Sequence, residues 1–231
     1  MSVFIVFFKD IKELVVEFFG LIRDLIKRKK NPIKGKPYRR MLIMLIIATI
    51  PLILLVPFVS RIEEIFFGSL LITGIALLVT GTFLFLSVKI PQGHKDASNA
   101  KFRSAFVVGL AQMVAAIIPG ISRSGSTIVT GEATGFSRKF AAKFSFLMSI
   151  IAILGATIVQ LPDAIEQYAA SPGAIADSII PYIVGVIVAA ISGILAIKYM
   201  LRLINKGKFH IFAYYCWAVG IFAIVANFFI G

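Results

Sequence analysis

The chain has 231 residues; 59% are hydrophobic, only 15% are charged, and Phe alone fills 21 positions. A soluble domain carries about 25% charged residues, so this composition excludes a water-soluble globular fold and, as firmly, a disordered chain. The net charge of +13 marks basic loops facing anionic lipid and the cytoplasm rather than a nucleic-acid partner.

The predicted fold is all-α: a single polytopic integral membrane domain over residues 1–231. It opens on eight largely apolar residues, Met1 to Phe8, too few to cross a bilayer, and the basic residues follow this stretch, unlike a cleavable signal pattern. Residues 9–40 read as a cytoplasmic, basic, amphipathic segment. Ile11, Leu14, Val15, Phe18, Phe19, Ile22, Leu25 and Ile26 form a helical stripe, with charges on the other face. That pattern suits a helix lying on the membrane surface, and a solvated loop helix fits it about as well. The segment holds eleven basic against four acidic residues, which places it inside by the positive-inside rule.

About five full spans follow, since a crossing helix needs roughly 20 apolar residues. They are predicted at 41–60, 65–88, 140–161, 180–200 and 209–230. Pro51 and Pro57 lie inside the first, a break that membrane helices tolerate. Arg61, Glu63 and Glu64 fall outside, and so does a loop at 162–178 with Asp163, Glu166 and Asp177 but no Lys or Arg. Lys89, Lys95, Lys101, Arg103, Arg138, Lys139, Lys143, Lys198, Arg202, Lys206 and Lys208 return to the inside.

Residues 102–136 begin and end inside. Thirty-five residues of mixed character cannot make two crossings, so the segment is predicted to be a re-entrant hairpin lining the functional site. Its break reads Pro119-Gly120-Ile121-Ser122-Arg123-Ser124-Gly125-Ser126-Thr127. Pro119 and Gly120 stop the incoming helix. The returning helix is predicted to start within residues 124–127, where free N–H groups and the macrodipole favour an anion. Arg123 adds a permanent cation with a donor fork suited to phosphate. A charge near the bilayer centre costs about 2.5–3.5 kcal/mol on insertion scales and marks function by default. Ser122, Ser124, Ser126 and Thr127 supply hydroxyls, and Gly125 permits close backbone approach. Together they predict a bound phosphate or diphosphate. Gln112 bonds either across the hairpin or to substrate. Glu132 either pairs with Arg123 or serves a metal. His94 and His210 read as interfacial. Cys216, the one cysteine, excludes a disulfide framework and a thiolate metal site.

These residues resemble a known family. Ala111-Gln112, the run from Ile118 to Ile128, Gly135-Phe136-Ser137-Arg138-Lys139, the run from Ala141 to Ile150, and Leu154-Gly155-Ala156 are similar to the second signature of the undecaprenyl-diphosphate phosphatases of the bacitracin-resistance type. The likeness follows span order along the chain. Ile151 departs from it, standing where the family usually has proline. The resemblance implies a remnant of an inverted-repeat fold in the bacterial plasma membrane, with a polyprenyl diphosphate lipid as substrate. It implies hydrolysis of that lipid to the monophosphate, recycling the carrier for cell-wall synthesis.

In this reading Arg123, Ser122 and Thr127 are the catalytic residues, and Gly120, Ser124, Gly125, Ser126 and Gln112 bind substrate. A divalent cation, Mg or Ca, is implied too, with ligands not identifiable in this chain. The family's glutamate-rich first hairpin and its Ser/His pair have no counterpart after Met1, so the 231 residues as they stand are expected to bind diphosphate weakly and turn over little. A polyprenyl-phosphate flippase or anion transporter is the competing reading, and a homodimer is left open.

Overall fold

A computed structural model describes residues 1–28, 32–58, 66, 69–170 and 179–230. Its named helices are α1 (Ser2–Val6), α2 (Phe8–Ile26), α3 (Pro37–Leu55), α4 (Leu70–Leu86), α5 (Phe102–Ile117), α6 (Arg123–Ala133), α7 (Arg138–Ala170), α8 (Ile179–Asn205) and α9 (Ile211–Ile230). Short 3₁₀ turns extend α3 over Val56–Phe58 and α4 over Ser87–Lys89. No strand is present among the described residues.

Five helical segments are long and apolar enough to cross a membrane: Pro37–Phe58, Leu70–Lys89, Arg138–Glu166, Ile180–Asn205 and Ile211–Phe229. They match the five spans read from hydropathy, although positions 59–60 and 65–68 of two predicted spans lie, apart from residue 66, outside the described residues. One boundary differs clearly. The loop expected at 162–178 is helical as far as Ala170, because α7 runs through Pro162. A proline removes one backbone donor, and a long membrane helix absorbs that loss locally. Positions 171–178 of that loop are not among the described residues.

The chain ends of most helices gather at one basic face. There Arg40 donates to the carbonyl of Ala100, Lys95 donates its Nζ to the carbonyl of Thr134 at 2.8 Å, and Gly207 packs beside the Arg138 guanidinium. The backbones of Lys95 and Phe136 form a parallel bridge that ties the 91–101 loop to the end of α6. From this face α5 runs inward against α3, and α6 returns. Gly109 makes the α3–α5 approach possible: a Cβ there would collide with the backbone of Ala48. α4 and α9 pack along each other, with Trp217 Nε1 donating to the carbonyl of Leu78 at 3.3 Å. The core, which includes Met44, Leu45, Val108, Ile128, Phe144 and Leu147, lies where α3, α5, α6 and α7 meet.

α5 and α6 form a helical hairpin. At 1.5 Å per residue, α5 with 16 residues and α6 with 11 rise about 24 and 17 Å, short of the roughly 30 Å hydrocarbon core. Both are anchored at the basic face. Their apex meets Thr80, which lies midway along the Leu70–Lys89 span.

A candidate anion site at the hairpin apex

Ser122 caps α6, its Oγ accepting from Gly125 N–H at 3.1 Å. The returning helix thus begins at Arg123, slightly earlier than the break pattern suggested, because a serine with extended backbone is a strong N-cap. Thr80, absent from the sequence reading, pins the apex from α4. Its hydroxyl donates to the carbonyl of Gly120 and accepts from Ser122 N–H, both at 3.1 Å. Gly120 sits at φ +92°, and a Cβ there would come within 2.5 Å of the Thr73 carbonyl oxygen. Only glycine fits.

Arg123, Ser124, Thr127, Gln112, Ser145, Ser149, Phe146 and Ile153 line a cavity of about 240 Å³. Four of the eight predicted residues line it, each in a different way. Arg123 and Ser124 face the cavity half-buried, and the Arg123 guanidinium has no ion pair among the described residues. Gln112 is 1% exposed, and its Nε2 has no hydrogen-bond partner among the described residues. Thr127 also lines the cavity, but its hydroxyl bonds back to the carbonyls of Arg123 and Ser124 at 2.9 and 3.2 Å. With its proton committed there, it accepts from Ser145, whose Oγ lies 2.5 Å away. Ser122 is occupied with the cap and, like Gly120, Gly125 and Ser126, is not part of the cavity lining.

Ser145 and Ser149 were not singled out in the sequence. Their spacing of four on α7 puts them on one face of that helix, a signal that in an apolar span suggests a polar cavity. Glu132 is placed away from Arg123. It is 5% exposed and shares a small pocket with Arg138, Ser87 and Gly207. Nine residues of helix separate it from Arg123, about 13.5 Å of rise, which removes the pairing considered for it. His94 is exposed in the 91–101 loop and His210 lies at the start of α9.

The lining carries one permanent cation, an orphaned amide donor and several hydroxyls, with no carboxylate, histidine or cysteine. Nor does any group of three or more such residues suited to a metal occur among the described residues. The donor set fits an anion and offers a divalent cation no anionic ligand.

Fold and site together define a polytopic membrane protein with a cavity lined by an arginine, an amide and hydroxyls at the apex of a helical hairpin. Comparison with known proteins narrows this class. The family model described as bacitracin resistance protein BacA matches residues 1–222, and the chain belongs to that family. Similar proteins named undecaprenyl-diphosphatase include one from Methanobrevibacter smithii, 43% identical over 94% of this chain and 76% of its own length. Another, from Alkaliphilus metalliredigens, is 40% identical over 97% of this chain and 79% of its own length. A third, from Methanothermobacter thermautotrophicus, is 41% identical over 79% of this chain and is matched over 98% of its own length. As a multi-pass protein with five apolar spans, the chain resides in the cell membrane.

Proposed function

We propose that this protein hydrolyses undecaprenyl diphosphate to undecaprenyl phosphate and inorganic phosphate, recycling the lipid carrier for cell-wall synthesis. The observation that carries this reading is the pairing of an unneutralised Arg123 with the orphaned Gln112 amide in one cavity at mid-span. Among the described residues neither group has a partner, which suits the terminal phosphate of a lipid diphosphate. The relatives named undecaprenyl-diphosphatase supply the substrate class.

In the reaction water adds to the terminal phosphorus and gives up a proton to solvent, the bond to the bridging oxygen breaks with its electron pair staying on that oxygen, and the lipid monophosphate departs. Charge moves onto the bridging oxygen and the transferring phosphoryl group. Arg123 binds the equatorial oxygens and offsets that charge in a site of low dielectric. Gln112 donates to a second oxygen from the opposite wall. The Ser124 hydroxyl orients a third. The Thr127 hydroxyl, locked between helix carbonyls and Ser145, fixes the first turn of α6 and so the aim of Arg123. The apolar surfaces of the spans take the prenyl tail, and the basic face is the cytoplasmic one. A divalent cation would draw its anionic ligands from outside the cavity lining and would supply charge neutralisation to the diphosphate.

The test is phosphate release from a polyprenyl diphosphate by the purified protein and by Arg123→Ala and Arg123→Lys variants. Loss of a donor aimed at developing charge costs about 10²–10³ in rate, so the Ala variant is expected to fall by that factor. Lys cannot reproduce the planar fork and recovers only part. An Ala variant as active as the parent removes the site from the chemistry.

A further inference from the structure

The first long helix divides its surface into three sectors, a partition that hydropathy alone does not reveal. Asp10, Glu17 and Asp24 recur every seven residues along α2 and point into the protein. Asp10 accepts from Tyr38 Oη at 2.9 Å and from Lys143 Nζ at 2.7 Å. Arg39, 1% exposed, donates Nε to Glu17 at 2.7 Å and Nη1 to Asp24 at 2.8 Å. Lys36 adds a contact to Asp24 at 3.5 Å. Gly20 leaves room for this guanidinium, since a Cβ there would come within 2.8 Å of Arg39 Nη2.

A second sector is apolar and uncovered: Val15, Phe18, Phe19, Ile22, Leu25 and Ile26 are all exposed, Phe19 by 65% and Ile26 by 77%. Between these two sectors, Lys9, Lys12, Arg23 and Lys27 form an exposed basic flank. Among the described residues Arg23 approaches a carboxylate no closer than 4.0 Å, at Asp24.

The contacts also set the helix direction. Residues 10 to 24 of α2 rise about 21 Å, yet their partners on α3 fall within residues 36–39, about 5 Å of chain. α2 therefore crosses the end of α3 instead of running along it. The crossing point lies just ahead of the apolar run of α3, where a bilayer surface would lie. On the other side, Ser2 Oγ donates to the carbonyl of Ala190 at 3.0 Å, midway along α8. The chain thus rises through α1 from the middle of a span before it turns across the surface.

We propose that α2 is an interfacial helix that binds anionic phospholipid headgroups. Its acidic sector is spent on the protein, its apolar sector lies at the acyl boundary, and the basic flank receives lipid phosphates. Holding Asp10, Glu17 and Asp24 against Tyr38, Arg39 and Lys143 turns three of the four α2 carboxylates away from lipid, with Glu13 half-buried, and leaves the exposed flank to Lys9, Lys12, Arg23 and Lys27; that charge complementarity selects the occupant. Interfacial helices bind through buried apolar area plus attraction to anionic lipid.

Two measurements on the full chain test this. In a Cys216→Ser background, nitroxide labels at Phe19→Cys and Lys12→Cys are examined in phosphatidylcholine vesicles containing phosphatidylglycerol. The label at position 19 is expected to be quenched by oxygen and shielded from a water-soluble nickel chelate, and that at 12 to report headgroup depth. Full nickel access at 19, or spin–spin broadening from a second copy, overturns the proposal. In the second measurement, native mass spectrometry compares phosphatidylglycerol retention by the parent and by a Lys9→Gln, Lys12→Gln, Arg23→Gln, Lys27→Gln variant. Each charge near an anionic surface is worth roughly fivefold, so affinity is expected to fall at least about tenfold while phosphatidylcholine retention and phosphate release are unchanged. Equal phosphatidylglycerol affinity overturns it. Should the fourfold variant fail to fold, the label depths still decide.

Discussion

Replacing Gln112 by Leu sets two effects against each other. In the ligand-free protein the amide is 1% exposed and its Nε2 bonds to nothing among the described residues. A buried donor left unsatisfied costs about 1–3 kcal/mol, and Leu fills nearly the same volume without it. Gln112→Leu is therefore expected to stabilise the protein by about 1–3 kcal/mol, with a melting temperature raised by roughly 2–4 °C per kcal/mol. Binding of a diphosphate moves the other way. A hydrogen bond to a charged group contributes about 1.5–3 kcal/mol, so affinity should weaken about 10- to 150-fold at 1.4 kcal/mol per decade. Thermal unfolding in detergent reads the first quantity. Displacement of a labelled polyprenyl diphosphate, or the KM for phosphate release, reads the second. A variant that melts lower and binds equally well would show that the amide is already satisfied and turned away from substrate, and the anion-site argument would lose half its support.

Three further outcomes follow from other parts of the structure. Gly120→Ala places a Cβ 2.5 Å from the Thr73 carbonyl at φ +92°, so strain and overpacking are expected to cost about 2–5 kcal/mol; unchanged thermal stability would contradict the apex geometry. Arg39→Met leaves Glu17 and Asp24 facing an apolar side chain, and breaking a buried ion pair from one side costs about 3–5 kcal/mol. Its melting temperature should drop accordingly, and a stable variant would show the cluster to be solvated. Finally, Ser98 donates both Oγ and N–H to Asp96 Oδ1 at 2.5 and 2.8 Å, holding that carboxyl below its ordinary value. A depressed folded pKa stabilises the loop above the ordinary aspartate range, and that contribution is lost as pH falls through the folded value. Amide exchange at Ser98 should accelerate in acid and should become insensitive to pH, beyond its intrinsic rate, in Asp96→Asn.

The family signature around residues 111–156 was legible because its residues are crowded together: a Pro-Gly break, one Arg and four hydroxyls within nine positions of an apolar segment. The division of labour among those hydroxyls was not legible. Ser122 and Thr127 look alike as candidates, yet one is consumed by a helix cap and the other by two carbonyls and Ser145. Thr80 and Ser145 act at the site from other helices, 43 and 22 residues away from Arg123, and nothing local to the break points to either.

The amino-acid sequence by itself determined the membrane class, the five apolar crossings and the place where the chain must turn back, because hydrocarbon thickness is a length criterion applied to consecutive residues. Tertiary structure alone decided which polar groups share a cavity, that Glu132 sits with Arg138 rather than Arg123, and that Asp10, Glu17 and Asp24 of α2 turn inward. The physical reason is that lipid and a neighbouring helix are equally apolar. Hydropathy thus marks which residues leave water but not which of them face protein and which face lipid, and that choice rests on close packing at Gly109 and Gly120 and on pairings such as Arg39 with Glu17 and Asp24.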